Sequence, residues 1–224
     1  MLIDSNLSQI PRGSPKISKL NVAYNKIDHL PDYVFFNNSF RSTKYLYLYQ
    51  NKISNVSVNS FKGLKELKIL DVSDNQIESI DPYTFNSNTK LQKLLVMNNN
   101  IKFDRLQTFV FSISLETLSL SNNKITDVYD VTFLGLQNLK RLMLNDNELS
   151  TVARHSFRTL SRLRYLSLAN TGVHQLGTSM FGTVPKMLNV ENTPLARRFE
   201  PQLTQVRDRS VKTLIEINHL FVDV

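Results

Sequence analysis

The feature that most constrains the fold of this chain is a phrase of eleven residues that recurs after 24 positions. It is clearest where LETLSLSNNKI, beginning at Leu115, is followed by LKRLMLNDNEL, beginning at Leu139. The two copies share leucines at the first, fourth and sixth positions and an asparagine at the ninth. A fixed period of this length predicts a solenoid, because one unit cannot bury its own apolar face and must stack on its neighbours.

The phrase resembles the leucine-rich repeat, L-x-x-L-x-L-x-x-N-x-L, of the longer type that carries a phenylalanine on the far side of the coil. The resemblance covers residues 17 to about 195. Since the chain has only 13 phenylalanines in 224 residues, a phenylalanine at a fixed place in every repeat is an independent check of the register. One stands ten residues after the asparagine position in seven successive repeats: Phe35, Phe61, Phe85, Phe109, Phe133, Phe157 and Phe181.

The resemblance implies an α/β solenoid with the shape of a horseshoe. Each repeat would supply one short parallel strand to the concave face, and the convex side would be mostly irregular or 3-10 in structure. The spacing agrees with a strand, because leucines two residues apart, such as Leu142 and Leu144, point to the same side of an extended chain. The phenylalanines are expected to fill the wider convex side as a second buried column.

The asparagine position falls where the chain turns out of each strand. An asparagine side chain both donates and accepts hydrogen bonds, so it can satisfy backbone groups that are costly to bury. Asn88, in contrast, lies outside the repeated phrase, and we expect it in a surface loop. We expect a buried ladder at the repeated position: Asn25, Asn51, Asn75, Asn99, Asn123, Asn147 and, with threonine in the slot, Thr171.

The repeat register divides the chain into three regions. Residues 17–195 hold eight repeats. The step from the first repeat to the second is 26 residues, and the step from the seventh to the eighth is 22 residues. Residues 6–30 resemble the last part of the cysteine-bearing cap that precedes many extracellular repeats of this family, and most of such a cap's cysteines would lie before Met1. Residues 1–16 are therefore assigned to the cap. We expect a cap remnant at the start of a fragment, with a degenerate cap as the alternative. Residues 196–224 are predicted to be a basic C-terminal cap or a degenerate last repeat.

Composition and charge limit the classes of protein that the chain can represent. It contains no cysteine, which excludes disulfides, thiolate zinc sites and a cysteine nucleophile. It has no run of 18 apolar residues and no signal-peptide pattern at its start. The formal net charge is +8, and the basic residues are concentrated in residues 154–212, where ten basic side chains accompany three acidic ones.

The sequence carries no recognisable catalytic arrangement. Nucleophile-elbow, P-loop and dinucleotide patterns are absent, and six glycines offer little material for phosphate-binding loops. The four histidines lie in different repeats or in the tail without metal-binding spacing: His29, His155, His174 and His219. We therefore expect a protein that is not an enzyme, with no catalytic residue, no cofactor and no metal site.

Function is expected on the concave surface that the outward-pointing strand residues form. Tyrosines occupy three consecutive outward positions of the second repeat. Exposed apolar clusters mark interaction sites and tyrosine is enriched at binding hot spots, although strand propensity alone also favours tyrosine here. The candidate partner-binding residues are Tyr45, Tyr47, Tyr49, Ile69, Leu95, Met97, Arg141, Met143 and Tyr165.

A second candidate surface is basic. One repeat position carries Lys44, Lys68, Lys140, Arg164 and Lys186, interrupted by Gln92 and Glu116. This column and the basic region at 154–212 suit an acidic protein, an acidic glycan or an anionic membrane surface. Nucleic acid is not expected as a partner, because the aromatic residues lie at the other end of the chain.

Three Asn-x-Ser sequons predict glycosylation at Asn6, Asn37 and Asn55. They favour an extracellular or cell-surface location, whereas the lack of cysteine and of a signal peptide leaves an intracellular location open. We predict a non-enzymatic recognition module from a secreted or cell-surface protein, such as a receptor, that binds a protein ligand or co-receptor on its concave face. The alternatives are an intracellular scaffold of the same architecture and a matrix protein that binds glycosaminoglycan through its basic C-terminal part. The oligomeric state stays open.

Overall fold

A computed structural model describes residues 2–198 of the chain. From residue 199 onward, the predicted C-terminal cap or degenerate repeat lies outside the described residues. In chain order the elements are β1 (Lys19–Asn21), β2 (His29–Leu30), α1 (Val34–Asn37), β3 (Tyr45–Tyr47), β4 (Asn55–Val56), β5 (Ile69–Asp71), β6 (Lys93–Leu95), β7 (Thr117–Ser119), β8 (Asp127–Val128), β9 (Arg141–Met143), β10 (Thr151–Val152), β11 (Tyr165–Ser167), a 3-10 helix (Thr178–Met180), β12 (Met187–Asn189) and α2 (Pro194–Arg197).

Eight three-residue strands form one parallel sheet whose order follows the sequence: β1, β3, β5, β6, β7, β9, β11 and β12. Each strand pairs with the same position of the next repeat, so Leu118 stands between Leu94 and Leu142. The remainder of each coil carries the chain back to the start of the next strand, which is the long connection that parallel pairing requires. This arrangement confirms the predicted solenoid with one strand per repeat on the concave face.

The convex side consists mainly of turns. Two-residue strands pair there in parallel, β2 with β4 and β8 with β10, and one 3-10 turn lies in the seventh repeat. In the longer first coil, helix α1 is followed by Phe40, whose ring is buried. A Cβ atom on Gly13 would come within 2.1 Å of this ring, so the close packing of the N-terminal segment depends on a glycine there.

All seven predicted phenylalanines are buried, but their column is interrupted. Two runs of stacked rings, with centroids 5.3 to 5.9 Å apart, are Phe35–Phe61–Phe85 and Phe133–Phe157–Phe181. Between the runs, Phe103 makes edge-to-face contacts with Phe109 at 5.5 Å and with Phe133 at 5.6 Å. The fourth repeat therefore crosses the convex side differently from its neighbours, because the additional ring of Phe103 packs against both Phe109 and Phe133.

The asparagine ladder joins each coil to the one before it. Asn123 Nδ2 donates to the carbonyl of Leu120 in its own coil at 3.0 Å and to that of Val96 in the preceding coil at 2.9 Å. Its Oδ1 accepts from the N–H of Ile101 in that preceding coil at 2.9 Å. The same three kinds of bond recur at Asn25, Asn51, Asn75, Asn99 and Asn147.

The last two described repeats replace the asparagine with threonine. Thr171 Oγ1 donates to the carbonyl of Leu168 at 2.6 Å, and Thr193 Oγ1 donates to that of Val190 at 2.6 Å. Both bonds stay within one coil, because a hydroxyl lacks the second arm with which the amide reaches the preceding coil. Within residues 2–198 the inter-coil ladder thus ends at Asn147.

Residues 2–10 extend the hydrogen-bond pattern of the repeats toward the N-terminus. The N–H of Leu2 donates to the carbonyl of Asn21 at 3.0 Å, and the N–H of Leu7 donates to Asn25 Oδ1 at 2.9 Å. One coil later, the same bonds join the first repeat to the second. The segment therefore covers the first repeat as one half of a coil would, and its origin as a cap remnant stays a prediction.

The expectation of a surface loop at Asn88 is wrong. The Asn88 side chain is 1% exposed, and its Nδ2 donates to the carbonyls of Phe61 and Leu64, both at 3.0 Å. Asn88 follows the repeat phenylalanine by three positions, which is the buried place that Leu64 and Leu136 hold in their own repeats. A polar residue thus occupies a core position of the third repeat.

Replacing Asn123 with alanine is expected to lower the free energy of unfolding by about 1–3 kcal/mol, because the N–H of Ile101 and two carbonyls would remain buried without a partner. Asn86→Ala is the control, since Asn86 is exposed. Urea denaturation of both variants measures the difference. Equal unfolding midpoints for the two variants would contradict the role given to the ladder.

Candidate functional site

Six of the predicted binding residues come together on the concave face of the second to fourth repeats. Tyr45 stands opposite Ile69, and the next outward column runs from Tyr47 through Asp71 to Leu95. All six side chains are half-buried, because neighbouring coils lie only about 4.8 Å apart. We call this set the N-terminal patch: Tyr45, Tyr47, Tyr49, Ile69, Leu95 and Met97.

The tyrosine rings of the N-terminal patch hold one another in place. The ring of Tyr49 makes edge-to-face contacts with Tyr24, at a centroid distance of 5.4 Å, and with Tyr47, at 6.5 Å. Lys19 Nζ lies 5.3 Å from the centre of the Tyr47 ring, a cation–π contact. Because neighbouring rings already restrict these side chains, they would lose little conformational entropy on binding a partner.

A carboxylate lies in the middle of this aromatic and apolar surface. Asp71 stands between Tyr47 and Leu95 in the sheet, and its Oδ1 accepts from the N–H of Ser73 at 3.0 Å. Ser73 is only 2% exposed although it occupies an outward strand position. The N-terminal patch therefore presents tyrosine, aliphatic and thioether groups around one acidic group.

The remaining three predicted residues form a separate cluster, which we call the C-terminal patch: Arg141, Met143 and Tyr165. The guanidinium of Arg141 lies 4.5 Å from the centre of the Tyr165 ring, which stands opposite it in the next strand. Strand β7, with the small outward residues Thr117 and Ser119, separates this cluster from the N-terminal patch. The predicted site is thus two patches rather than one continuous surface.

The basic column lies along the return edge, by which we mean the side where the chain comes back from the convex face to the next strand. A groove of about 520 Å³ there is lined by Lys44, Lys68, Lys90, Arg162, Glu66 and Glu116, among others. Lys90 Nζ lies 2.6 Å from Glu66 Oε1, and Lys140 Nζ lies 2.7 Å from Glu116 Oε1. The Lys90 hydrogen bond, with further attraction from Lys44 and Lys68, holds the pKa of the Glu66 carboxyl below its usual range.

The opposite, exit edge, where the chain leaves each strand, carries a second polar ladder that the sequence analysis missed. One residue per coil there has a positive φ: Tyr24, Gln50, Asp74, Asn98, Asn122, Asp146, Asn170 and Asn192. Exposed amides bridge successive coils, from Asn98 to Asp74 at 2.7 Å and from Asn170 to Asp146 at 2.6 Å. The sequence signal was the run of asparagine and aspartate just before the ladder position, since these residues tolerate left-handed backbone best.

Apolar side chains on the outside of the coils were also missed. The rings of Tyr83 and Phe111 stack at a centroid distance of 5.2 Å, and Ile113 is 69% exposed. They belong to the third repeat and to the irregular segment of the fourth. Such a cluster is a second candidate for partner binding, because it is more exposed than the N-terminal patch.

Other expectations concern modification, metals and membranes. Asn6, Asn37 and Asn55 are exposed, and their glycosylation stays a prediction. Among residues 2–198, no three acidic or histidine side chains are grouped so as to hold a metal ion. The same part of the chain contains no helix that is long and apolar enough to cross a membrane.

The repeats define a family. The sequence profile described as leucine rich repeat matches residues 15–77, 41–101, 65–111 and 113–173, which together make up well over half of the chain. The chain therefore belongs to the leucine-rich-repeat family, as the sequence resemblance indicated. Among curated proteins, none has a sequence that matches this chain.

Several solved structures share the fold at low sequence identity. The leucine-rich-repeat domain of APL1B has a TM-score of 0.59 at 21% identity, covering 83% of this chain and 62% of that one. A leucine-rich-repeat protein of Leptospira interrogans has a TM-score of 0.65 at 21% identity, covering 89% and 50%. The octameric complex of Latrophilin 3, Unc5D and the FLRT2 repeats gives a TM-score of 0.66 at 23% identity, covering 90% and 65%. The chain thus spans half to two thirds of the length of the proteins it matches.

The ion pair at the return edge makes a testable prediction about charge. Replacing Lys90 with methionine is expected to raise the pKa of Glu66 toward its usual value, because the hydrogen bond that favours the carboxylate is removed. NMR titration of the glutamate carboxyl carbons measures the shift, and Lys124→Met, on the other edge, is the control. An unchanged Glu66 pKa in Lys90→Met would contradict the pairing.

Proposed function

We propose that the chain is a non-enzymatic protein-recognition module of a secreted or cell-surface protein and that it binds a protein ligand through the N-terminal patch. The observation that carries this proposal is the group of contacting tyrosine rings at the concave face, where Tyr49 makes edge-to-face contacts with Tyr47 and with Tyr24 at the adjoining exit edge. None of these rings belongs to the buried core, so packing alone does not account for their positions.

The chemistry of the N-terminal patch suits a protein partner. Tyrosine supplies a large contact area with little loss of conformational freedom and keeps a polar end for hydrogen bonding. Asp71 offers a carboxylate at the centre, so the partner is expected to present a basic or hydrogen-bond-donating group there, surrounded by apolar side chains. A patch of this composition resembles the core of a protein interface more than a site for a small molecule.

Family and fold support the same proposal. Leucine-rich repeats generally serve as recognition modules, and the repeats of FLRT2, which share this fold, occur in a complex with two other proteins. The proposed role as receptor, adhesion or innate-recognition segment, and the proposed extracellular location, rest on this likeness and on the three sequons. The absence of an active-site arrangement from the sequence supports a protein that is not an enzyme.

A second candidate function concerns the C-terminal repeats. Arg158, Arg162, Arg164 and Lys186 are exposed, and none of them has an ion-pair partner among the described residues. An acidic glycan would neutralise such a surface. Binding to a heparin column, with release at rising salt that occurs earlier for an Arg162→Ala/Arg164→Ala variant, tests this function.

Tyr47→Ala is expected to weaken binding of the cognate protein at least tenfold, because truncating a central aromatic anchor commonly costs about 2 kcal/mol or more. The melting temperature should change little, since the ring is outside the core. Surface plasmon resonance measures affinity, and Tyr83→Ala, a tyrosine on the outer surface, is the matched control. Normal binding by Tyr47→Ala together with weaker binding by Tyr83→Ala would refute the concave site.

A further inference from the structure

The negative charge of Asp71 is not needed for the local structure at its position. Asp71 Oδ1 accepts from the N–H of Ser73 at 3.0 Å. The outward column that contains Asp71 begins with Asn21 and ends with Asn189. Each of these neutral amides accepts from the N–H two residues further on, also at 3.0 Å. An asparagine therefore makes the same bond, and the charge of Asp71 requires another explanation.

No cation within residues 2–198 neutralises this charge. Asp71 has no ion-pair partner there, and it is the only acidic residue at an outward strand position of the first seven repeats. Its side chain is half-buried between Tyr47 and Leu95. A partner that covers this surface removes water from the carboxylate, so it needs to supply a positive group that offsets the lost hydration.

The ring beside Asp71 already contacts a cation. Lys19 Nζ lies 5.3 Å from the centre of the Tyr47 ring, and Tyr47 is the neighbour of Asp71 in the adjacent strand. Lys19 is exposed, so a partner can displace it from the ring. Aromatic rings and carboxylates both attract cations, and here one of each lies side by side.

The C-terminal patch shows which cation an outward tyrosine of this sheet accommodates. The Arg141 guanidinium lies 4.5 Å from the centre of the Tyr165 ring, across two neighbouring strands. In the N-terminal patch, the strands on either side of Tyr47 carry no arginine. This patch thus has a ring and a carboxylate that suit a guanidinium, but no guanidinium of its own.

Arginine suits this surface better than lysine. Its planar guanidinium can stack on a ring while its N–H groups donate to a carboxylate, whereas an ammonium group acts as a point charge. The guanidinium is also less strongly hydrated. It therefore loses less when the apolar side chains around the carboxylate, Ile69, Leu95 and Met97, displace its water.

We propose that the N-terminal patch binds an arginine side chain of the partner protein, with the guanidinium stacked on Tyr47 and hydrogen-bonded to Asp71. Apolar side chains that flank this arginine in the partner pack against Ile69, Leu95 and Met97. The arginine site rests on the proposed function, because it specifies the group that the concave face recognises.

The test uses the full chain and the peptide acetyl-Leu-Arg-Leu-amide, with lysine or citrulline at the central position for comparison. Citrulline has nearly the shape of arginine without its charge. NMR titration follows the Ser73 amide and the Tyr47 ring, which both lie beside Asp71. The arginine peptide should shift both signals to saturation, the lysine peptide should bind less tightly, and the citrulline peptide should bind about tenfold less tightly than the arginine peptide.

Asp71→Asn removes the charge and keeps an acceptor for the N–H of Ser73, as the asparagines of the first and eighth repeats do. The chain should therefore remain folded, while the dissociation constant of the arginine peptide rises about tenfold and its advantage over the citrulline peptide disappears. Asp74→Asn is the matched control, because it removes the same charge at the exit edge, where the next two repeats carry asparagine. This control should bind the arginine peptide like the unaltered chain.

The arginine site is refuted if the citrulline peptide binds as tightly as the arginine peptide, if Asp71→Asn binds the arginine peptide normally, or if that peptide shifts neither signal. A separate measurement with the cognate protein distinguishes this failure from failure of the proposed function. Normal binding by Asp71→Asn with weak binding by Tyr47→Ala would retain the concave site and exclude the arginine. Normal binding by Tyr47→Ala would count against the concave site itself.

Discussion

Buried backbone polar groups at the turn after each strand are the constraint on which the rest of this structure depends. Leucine and phenylalanine supply the favourable burial, but burial is not directional and does not fix the register of one coil on the next. The ladder asparagines fix this register, because each bonds backbone groups of two coils, as Asn123 does with Leu120 of its own coil and Val96 of the preceding coil. A single repeat therefore has neither a closed core nor satisfied turns, and the coils are expected to fold together.

Periodicity was sufficient to predict the strands, the phenylalanine column and the ladder, because each depends on a position within the repeat. It was not sufficient at Asn88, which was judged by residue type rather than by its place three residues after Phe85. Counting that place in every repeat would have shown a polar residue in a leucine position. The contacts of Phe103 with Phe109 and Phe133 could not be predicted from the sequence, since they depend on how an irregular segment packs in three dimensions.

The candidate surfaces differ in how much of them could be predicted from the sequence. Outward strand positions are fixed by the alternation that buries Leu46 and Leu48, so the N-terminal patch could be predicted residue by residue. That the nine residues form two patches also follows from the register, once Thr117 and Ser119 are seen to lie between them. The cavity of about 260 Å³ that Asn88, Phe111 and Gln137 line could not be predicted, because it depends on how the irregular segment of the fourth repeat packs against the coils on either side.

The exposed ladder of the exit edge has a direction, and this direction divides the ladder into separate runs. Each amide donates toward the N-terminus, so a run of bonds ends wherever an aspartate, which only accepts, takes the position. Asn122 and Asp146 are adjacent in the ladder and no described bond joins their side chains, whereas at the inner ladder Asn147 Oδ1 accepts two N–H groups from the same preceding coil, both at 3.1 Å. The bonds between Asp74 and Asn122 and those between Asp146 and Asn192 therefore form two separate runs, and between them the fifth and sixth coils are joined at this edge by Ser121 Oγ, which donates to Asn145 Oδ1 at 2.7 Å. The break in the ladder falls between the coils that carry the N-terminal patch and those that carry the C-terminal patch, so each patch lies beside a run of its own.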